Sequence, residues 1–387
     1  MCAKARVVRR AFREVAVVAT DSVSKSFRVI RHLAALIGGV LAAVGARAAD
    51  LPEDNAEALF HSYNGGGVSA NGPALLVRKR LADKVSLSAS YYVDAVSNAS
   101  IDVVTTASPY REQRNEYGLG MDYVYRDSKI SLAANTSRES DYTANRFGLD
   151  IAQETFGGMT SISMGFTRGD DQIGKSNAPE FADTATHWQY RLGATQILSP
   201  RWIMSANAEV LSDDGFLGSP YRIARVFGAA VPEKTPRTRS GRALKFRLIG
   251  DLNARDALHL DYRYYWDTWD IKANTAEAGY SRHFGEQWLA DASLRYYAQT
   301  KALFYSDNAS TETTYISRNR QLSTFNSVGL GAKVAYTWRR APGKFDIKLN
   351  AALETTRFQF SDFTDIRTGE LYAYQANVLQ LYLSANF

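Results

Sequence analysis

Hydrophobic and polar residues alternate one by one over many segments of the chain. From Leu258 to Trp266 every second residue is apolar or aromatic, and His259, Asp261 and Arg263 stand between them. Side chains at positions i and i+2 share a face only in an extended strand, because a helix would spread them around its circumference. The pattern therefore predicts β-strands with one apolar face and one polar face.

The same alternation returns along most of the chain. It predicts fifteen strands, at about 68–81, 84–95, 112–126, 129–140, 143–154, 158–168, 185–198, 201–211, 238–253, 256–269, 272–284, 287–299, 320–339, 344–360 and 372–387. The connections between them are alternately short and long. The long polar connections cover roughly 96–112, 169–184, 212–237, 300–319 and 361–371.

Alternating connection lengths place every long loop on one rim, as in outer-membrane barrels with short periplasmic turns. If both termini lie on the short-turn side, the strand count must be even. The segment 56–63, followed by a glycine-rich turn, supplies the sixteenth strand. The sequence thus predicts an all-β fold, a closed antiparallel transmembrane β-barrel of about 16 strands, over residues 49–387.

Composition supports a membrane barrel over a soluble two-sheet or multi-domain β protein. After residue 48 no apolar run approaches the length of a spanning helix, and only helices and closed barrels satisfy all backbone groups in lipid. The chain has 22 Tyr, 18 Phe and 6 Trp. Tyrosine and tryptophan often stand near the ends of the apolar faces, which is typical of the aromatic girdles of lipid-facing bands.

Residues 1–48 are predicted to be an export signal. Arg28 and Arg31 precede the apolar segment 33–44, and Ala46-Arg47-Ala48 is a small-x-small cleavage site. The stretch before Arg28 is longer than a signal needs, so either the leader is extended or the start codon is misassigned. Cys2 is the single cysteine and lies in this leader, so the mature chain is expected to have no disulfide.

The formal charge of +6 belongs to the leader. Nine of the 46 basic residues and two of the 40 acidic residues precede residue 49, so the remaining chain carries one more acidic than basic residue. The positive net charge therefore does not indicate nucleic-acid binding. A bacterial outer-membrane location is expected, with outer-membrane lipid and lipopolysaccharide as surroundings.

The last strand carries a further signal. Leu379, Leu381, Leu383 and the terminal Phe387 share one face. A closing strand that ends in phenylalanine resembles the recognition signal that outer-membrane barrels present to the barrel-assembly machinery. That machinery is therefore an expected partner.

Several local motifs resemble a family of bacterial outer-membrane β-barrel proteins catalogued as a domain of unknown function. They are Asp214-Gly215 with Ser219-Pro220-Tyr221-Arg222, Asp261-Tyr262-Arg263-Tyr264-Tyr265, Arg295-Tyr296-Tyr297, Phe304-Tyr305 and Leu330-Gly331. The resemblance covers the chain from about residue 50 to its end. It implies an outer-membrane barrel and brings no assigned substrate. Some relatives sit among envelope redox and flavin-attachment proteins.

The polar faces direct charges of both signs into the barrel interior. The candidate lumen charges are Asp122, Arg191, Glu209, Lys245, Arg247, Asp261, Arg263, Asp267, Arg295 and Lys348. A sixteen-strand barrel is wide enough for an aqueous channel, where such charges would select solutes by sign. A salt-bridged interior that stiffens or plugs the barrel explains the same charges equally well.

The long connection from Asp213 to Arg242 is unusually basic. The candidate basic loop consists of Arg222, Arg225, Arg237, Arg239 and Arg242. Its apolar middle, residues 226–231, indicates that part of it folds inward or packs. The loop is expected to be a constriction element or a patch for phosphate groups of lipopolysaccharide or an anionic solute. The alternative is an ordinary solvated outer loop.

Motifs for catalysis or cofactor binding are not apparent. Asp170, Asp171 and Asp183 do not match a calcium loop, and the four histidines of the mature chain have no metal spacing. No nucleophile stands beside a histidine as barrel hydrolases require. The sequence predicts no enzyme and no cofactor. It favours porin-like passage of small polar or charged solutes, with a non-conducting scaffold for envelope partners, redox-linked ones among them, as the alternative. A homo-oligomer is left open.

Overall fold

The structure, a computed structural model, describes residues 50–98, 100, 110–341 and 345–387. The predicted export signal at 1–48 lies outside the described residues. The strands are β1 Asn55–Gly65, β2 Val68–Ala82, β3 Val85–Asn98, β4 Tyr110–Tyr125, β5 Ser128–Arg138, β6 Tyr142–Thr155, β7 Thr160–Ile173, β8 Asp183–Ser199, β9 Trp202–Gly215, β10 Ile223–Val226, β11 Ala229–Pro232, β12 Thr238–Asp251, β13 Asp256–Asp267, β14 Lys272–Phe284, β15 Trp288–Gln299, β16 Phe325–Ala341, β17 Phe345–Thr364 and β18 Leu371–Asn386.

Sixteen of these strands form one closed antiparallel barrel. Each strand pairs with its neighbours in sequence, except that β9 pairs with β12 because β10 and β11 form a separate hairpin. The barrel closes where β1 pairs with β18, from Asn55 opposite Asn386 to Gly65 opposite Ala376. Closure leaves no unpaired strand edge. The predicted fold class and strand number are confirmed.

The alternation seen in the sequence separates the two faces of the wall. On β13 the outward side chains of Leu260 and Tyr262 are 41% and 44% exposed. Asp261 between them points inward, and its side chain is only 9% exposed. An outer surface of exposed leucine, phenylalanine and tyrosine is what hydrocarbon would cover. In the part of the chain that the structure describes, no helix is both long and apolar enough to cross a membrane.

All of the longer connections lie on one rim, called here the long-loop rim. The opposite, short-turn rim has tight connections such as Arg126-Asp127 between β4 and β5. The long-loop rim also has tight turns. Gly66 and Gly67 join β1 to β2 with φ of 59° and 80°, a left-handed conformation that glycine adopts without steric cost.

The strand boundaries differ from the prediction mainly at the long-loop rim. Strand β16 begins at Phe325 instead of 320, because Arg320–Leu322 forms a short 3-10 turn. The side chain of Asn319 caps this turn by accepting a hydrogen bond from the backbone N–H of Gln321. At the same rim β7 extends to Ile173 and β17 to Thr364, so polar ends that the alternation did not mark still pair.

Two long connections, 216–237 and 300–324, fold together over the long-loop rim and are called here the cap. Lys234 and Ile316 exchange two backbone hydrogen bonds of 2.9 and 2.8 Å, and Phe227 N–H donates to the carbonyl of Ala309 at 2.9 Å. Ala224, Val226 and Ile316 are buried against one another. The prediction that the apolar middle of the first loop packs is thus explained by its contact with the second loop.

The second cap loop fills part of the barrel mouth. Its Ala302, Tyr305 and Leu322 are buried in one cluster with the lumen-facing Tyr265 and Phe360. The Tyr305 hydroxyl donates to the carbonyl of Asp362 at 2.9 Å. The loop 300–324 therefore enters the barrel mouth. The basic loop, which was expected to be a constriction element or a patch for phosphate groups, lies against it and packs Leu217 on the same cluster.

Buried contacts of Arg318 fix the cap to the end of β17. Its guanidinium lies 2.6 Å from Asp307 and donates to the carbonyl of Thr364 at 2.7 Å. The same guanidinium stacks over the ring of Phe363 at 4.4 Å. Charge pairing and cation–π contact in a buried place stabilise this edge of the cap.

Candidate functional site

The inward face of the barrel combines small and charged side chains, and Asp122 and Asp150 are inward charges of β4 and β6. On β3 to β7 the inward positions carry small residues, called here the small-residue wall: Ser90, Gly118, Ala133, Gly148 and Gly165. On β8 to β17 charged side chains stand on the inward face among small residues such as Gly193 and Gly331, and this part is called here the charged wall. A solute inside the barrel would therefore meet both short neutral side chains and ions.

Alternation and register place all ten candidate lumen charges on the inward face. Several of them are paired with one another. Asp261 accepts from Arg247 at 2.8 Å and lies 3.2 Å from the Lys245 ammonium. Arg263 is 3.0 Å from Glu209. The salt-bridged wall that the sequence allowed is therefore present on β9, β12 and β13.

The remaining candidates are distributed along the lumen. Arg191 lies 2.8 Å from Asp150, and Lys348 lies 3.0 Å from Asp346 near the short-turn rim. Asp122 accepts a hydrogen bond of 2.5 Å from the hydroxyl of Ser131. Arg295 stands on β15 directly opposite Glu277 of β14.

Some of these pairs join strands that are not neighbours. Asp150 on β6 and Arg191 on β8 meet across Gly165 of β7, which stands between them in register. His61 on β1 contacts Asp94 on β3 at 2.7 Å across Gly72 of β2. Neighbouring strands are about 4.8 Å apart, so side chains two strands apart meet only when the strand between them leaves the space free.

Of these two intervening glycines, Gly72 leaves the least space for a side chain. A Cβ added there would overlap the carbonyl oxygen of Val93 and lie 2.8 Å from its carbonyl carbon. Because backbone cannot move aside as a flexible side chain can, we expect Gly72→Ala to lower the free energy of unfolding by about 1–3 kcal/mol. The measurement is the urea unfolding midpoint of the refolded barrel.

The matched control for Gly72→Ala is Gly148→Ala, which adds the same methyl group to another inward position. Its nearest neighbour would be the Thr167 hydroxyl at 3.6 Å, an ordinary contact. Its unfolding midpoint should stay near that of the parent. Equal losses in the two variants would contradict the close approach at Gly72.

A histidine connects two buried carboxylates at the long-loop end of the lumen. His187 Nε2 lies 2.9 Å from Asp171 and its Nδ1 lies 2.8 Å from Asp213. The hydroxyl of Tyr142 also donates to Asp171. Both carboxyl groups are almost fully buried. A neutral imidazole has a single N–H donor. Because both ring nitrogens of His187 contact a carboxyl group, the group of three side chains must carry one proton more than a neutral histidine with two carboxylates would.

A cavity of about 290 Å³ opens beside this histidine. Its lining includes Tyr142, Arg146, Asp171, His187 and Asp213, and the first cap loop closes one side with Phe216 and Leu217. The cavity therefore lies between the barrel wall and the cap. Its size is close to the lower limit for small-molecule pockets.

A second group of buried hydrogen bonds lies on β12 and β13. Asp267 is fully buried and accepts from Arg239 at 2.6 Å and from the Tyr265 hydroxyl at 2.8 Å. It also accepts from the backbone N–H groups of Trp269 and Ile271 at 2.8 and 3.0 Å. Asp267 thus shapes the β13–β14 connection. A candidate lumen charge and a residue of the candidate basic loop are partners here.

The structure distributes the five residues of the candidate basic loop over different places. Arg225 donates to the carbonyl of Gly228 at 3.0 Å within the hairpin, and Arg222 lies just before β10. Arg237 pairs with Asp183 at 2.7 Å. Arg239 enters the lumen network, and Arg242 is exposed on the outward face of β12. They do not converge on one phosphate-sized patch.

Two further histidines of the barrel make contacts within the wall. His61 stacks on Tyr92 with ring centroids 4.6 Å apart, and His259 lies 3.9 Å from Glu277. Among the residues with described positions, no group of three His, Cys, Asp or Glu side chains is placed to hold a metal ion.

Fold and inward charges define the class: a closed transmembrane-type β-barrel with a polar lumen. Residues 175–355 match the model of a family described as "Protein of unknown function (DUF3570)". The resemblance to a family of unknown function is thereby confirmed over these residues. A comparison with curated proteins gives no match.

Solved structures align with most of this chain. A bacterial polysaccharide outer membrane secretin aligns with a TM-score of 0.51 and 8% identity, covering 87% of this chain and 100% of that chain. The siderophore receptor PirA from Pseudomonas aeruginosa gives 0.42 and 13%, covering 81% of this chain and 60% of the receptor. The toluene transporter TodX from P. putida gives 0.42 and 13%, covering 87% and 91%. At these identities the likeness concerns the fold alone.

Proposed function

We propose that the barrel lies in the bacterial outer membrane and conducts small polar solutes through its lumen. The observation that carries the proposal is the solvent exposure of charged groups inside the barrel. Lys245 and Arg263 keep 35% and 27% of their side chains exposed although both point inward. Charged groups that stay exposed inside a barrel require water in its lumen.

Single-channel recording of the refolded barrel in a planar bilayer tests this proposal. We expect a stable open-state current, because sixteen strands enclose enough space for an aqueous path. Arg263→Glu should raise the permeability of cations relative to anions, since it reverses a charge exposed to the lumen. A barrel that stays closed at all voltages would refute conduction.

Arg168→Glu is the control for Arg263→Glu. Arg168 stands on β7 with its side chain outward, 48% exposed and paired with Asp170 at 2.8 Å. The charge change is the same, but it lies outside the lumen. Its ion preference should match that of the parent barrel, and a shift as large as that of Arg263→Glu would show that the effect does not come from the lumen.

A non-conducting scaffold that anchors envelope proteins is the second candidate. The cap favours it, because buried residues of the loop 300–324 fill part of the mouth. A barrel without current that begins to conduct when this loop is shortened would support the scaffold. A current that is present with the intact cap supports the pore.

The proposed location also assigns partners to the two ends of the barrel. In outer-membrane barrels the long-loop rim faces outward, which would bring the cap among lipopolysaccharide sugars. Leu379, Leu381 and Leu383 are 40–47% exposed on the outer face of β18, which continues to Phe387. This outer face of β18 is the surface that we propose for the barrel-assembly machinery.

A further inference from the structure

Two cations stand side by side on the outer face of the wall, close to the long-loop rim. Arg242 of β12 pairs in register with Trp266 of β13, and Trp266 pairs with Lys272 of β14. All three side chains point outward, because the residues that alternate with them point into the barrel. Neighbouring strands are about 4.8 Å apart, so the two cationic positions are about 10 Å apart. Both long side chains can therefore reach one ligand above Trp266.

The two cations are available to an anion. The side chain of Arg242 is exposed, and in the described part of the chain no carboxylate pairs with it. Lys272 lies 3.0 Å from Asp270, but both of these side chains are 52% exposed. An ion pair so open to water holds its partners weakly, so a phosphate can compete for the ammonium group. The place therefore offers two positive charges against one carboxylate.

These cations mark the outward edge of the apolar surface. Below Arg242 the outer face of β12 continues with Leu244 and Phe246, which are 41% and 49% exposed. Trp266 stacks on Tyr264 with ring centroids 5.4 Å apart, and such rings are typical of the boundary between membrane and water. A guanidinium group on the lipid-facing wall is tolerated at this level, where it meets lipid headgroups instead of hydrocarbon.

A shallow recess runs down the outer wall below the cations. The outward positions of β14 in this part of the strand are occupied by Ala276 and Ala278. Larger side chains flank both alanines on the two neighbouring strands: Leu260 and Tyr262 on β13, Leu294 and Tyr296 on β15. These four side chains are 41–50% exposed and project beyond the alanine methyl groups. The recess therefore leads from the cations toward the middle of the membrane.

We infer that this place binds one phosphorylated glycolipid of the outer leaflet, the lipid A part of lipopolysaccharide. Arg242 and Lys272 bind a phosphate group, since guanidinium and ammonium groups form strong charge-assisted hydrogen bonds with phosphate. One acyl chain lies in the recess over Ala276 and Ala278. A free phosphate would use only the cations, whereas a phosphorylated lipid uses the cations and the recess together.

The level of the site selects the leaflet. Trp266 and Lys272 flank the short connection between β13 and β14, which lies on the long-loop rim. In outer-membrane barrels this rim faces outward, so the lipid beside it belongs to the outer leaflet. The inference thus rests on the proposed outer-membrane location, and it does not depend on conduction.

Native mass spectrometry of the full-length refolded barrel in detergent tests the site. The probes are lipid A with two phosphates, its monophosphoryl form and phosphatidylglycerol. We expect the parent to retain one lipid A, to bind the other two lipids more weakly, and Arg242→Gln with Lys272→Gln to bind lipid A several-fold more weakly. Phosphatidylglycerol bound as tightly as lipid A would overturn the assignment to the outer-leaflet glycolipid.

The matched control is Lys79→Gln with Arg282→Gln. Both of these outward cations lie near the short-turn rim, paired with Asp54 at 2.8 Å and with Asp256 at 3.4 Å. The control removes the same two positive charges from the outer face, but at the opposite edge of the membrane. Its binding of lipid A should equal that of the parent. An equal loss in both double variants would reduce the effect to net charge and overturn the inference.

A gain of binding is expected from Asp270→Asn, because this substitution removes the carboxylate that competes with phosphate for Lys272. Lipid A should bind several-fold more tightly than to the parent, a result that a folding defect cannot imitate. Unchanged or weaker binding would show that Lys272 does not contact the phosphate.

Filling the recess tests the place of the acyl chain. Ala276→Trp should weaken the binding of lipid A several-fold, because the indole would occupy the space of the chain. Ala134→Trp is the control, since Ala134 is an exposed outward alanine of β5 on the opposite side of the barrel. Equal binding by the two variants would mean that no chain lies in the recess.

Failure of this inference can be distinguished from failure of the proposed conduction, because all the altered side chains point away from the lumen. A parent barrel that conducts, but binds lipid A no better than Arg242→Gln with Lys272→Gln, would refute the lipid site alone. A barrel that never conducts and still shows phosphate-dependent binding would refute conduction alone.

Discussion

Replacing Leu260 by arginine should sharply reduce the fraction of chains that fold into the barrel. Leu260 stands near the middle of β13 with its side chain on the outer face, 41% exposed. A cation on the lipid face at mid-bilayer costs about 2–4 kcal/mol. The folded fraction is read from heat-modifiable mobility in gel electrophoresis after refolding into lipid vesicles.

A second arginine variant serves as the control for depth. Ala298 is also outward, but it lies next to the long-loop end of β15, where the cost of a cation falls to about 0–1 kcal/mol. Ala298→Arg should therefore fold nearly as well as the parent. Normal assembly of Leu260→Arg would mean that this face does not meet hydrocarbon.

Truncating Asp267 should cause the largest loss of stability among the lumen variants. Its buried carboxylate accepts from Arg239, from Tyr265 and from two backbone N–H groups. Asp267→Ala removes all of these acceptors at once and leaves the Arg239 cation, which is 11% exposed, without them. Removing one partner of a buried ion pair costs about 3–5 kcal/mol, which the urea unfolding midpoint would report.

Two further variants test whether the loss of stability in Asp267→Ala comes from the burial of its ion pair. Asp270→Asn breaks a pair with Lys272 at 3.0 Å in which both side chains are 52% exposed, so no measurable change is expected. Asp267→Ala with Arg239→Met should be less destabilised than Asp267→Ala alone, since no cation remains buried. A double variant that is less stable than Asp267→Ala alone would contradict this explanation.

The strands were predictable because period-two alternation is a local property of the chain. In β13 and β15 each inward and outward residue could be assigned from the sequence, and the even strand number followed from connection lengths. The inward direction of Asp261, Arg263 and Arg295 follows from this alternation alone. Local patterns suffice wherever one wall face is apolar.

The contacts of the lumen could not be predicted, because they depend on register. That Asp150 meets Arg191 across Gly165 requires knowing which residues of β6, β7 and β8 stand side by side. The same holds for Arg239, which lies in the predicted strand 238–253 but whose partner Asp267 stands on the neighbouring strand β13. Without the register of neighbouring strands, the sequence identifies the charged residues but not their partners.

The carboxylates at the long-loop ends of β4 and β5 have a signal in the sequence. Glu112, Arg114 and Glu116 alternate on one face of a predicted strand, so their inward direction follows from the same rule as that of the other lumen charges. Glu139 and Asp141 lie in the next connection on the same rim. Their proximity to Glu112 depends on the pairing of β4 with β5 and could not be read from spacing.

The two loops that close the mouth also have a consequence for the order of events in folding. Gly228 and Asn308, and likewise Glu233 and Ser317, are bonded across 80 and 84 residues of chain. Contacts of such long range form only after the segments between them have been brought into place, here four complete strands. Insertion of the wall into lipid should therefore precede closure of the mouth, and a newly inserted molecule should leak more than a mature one.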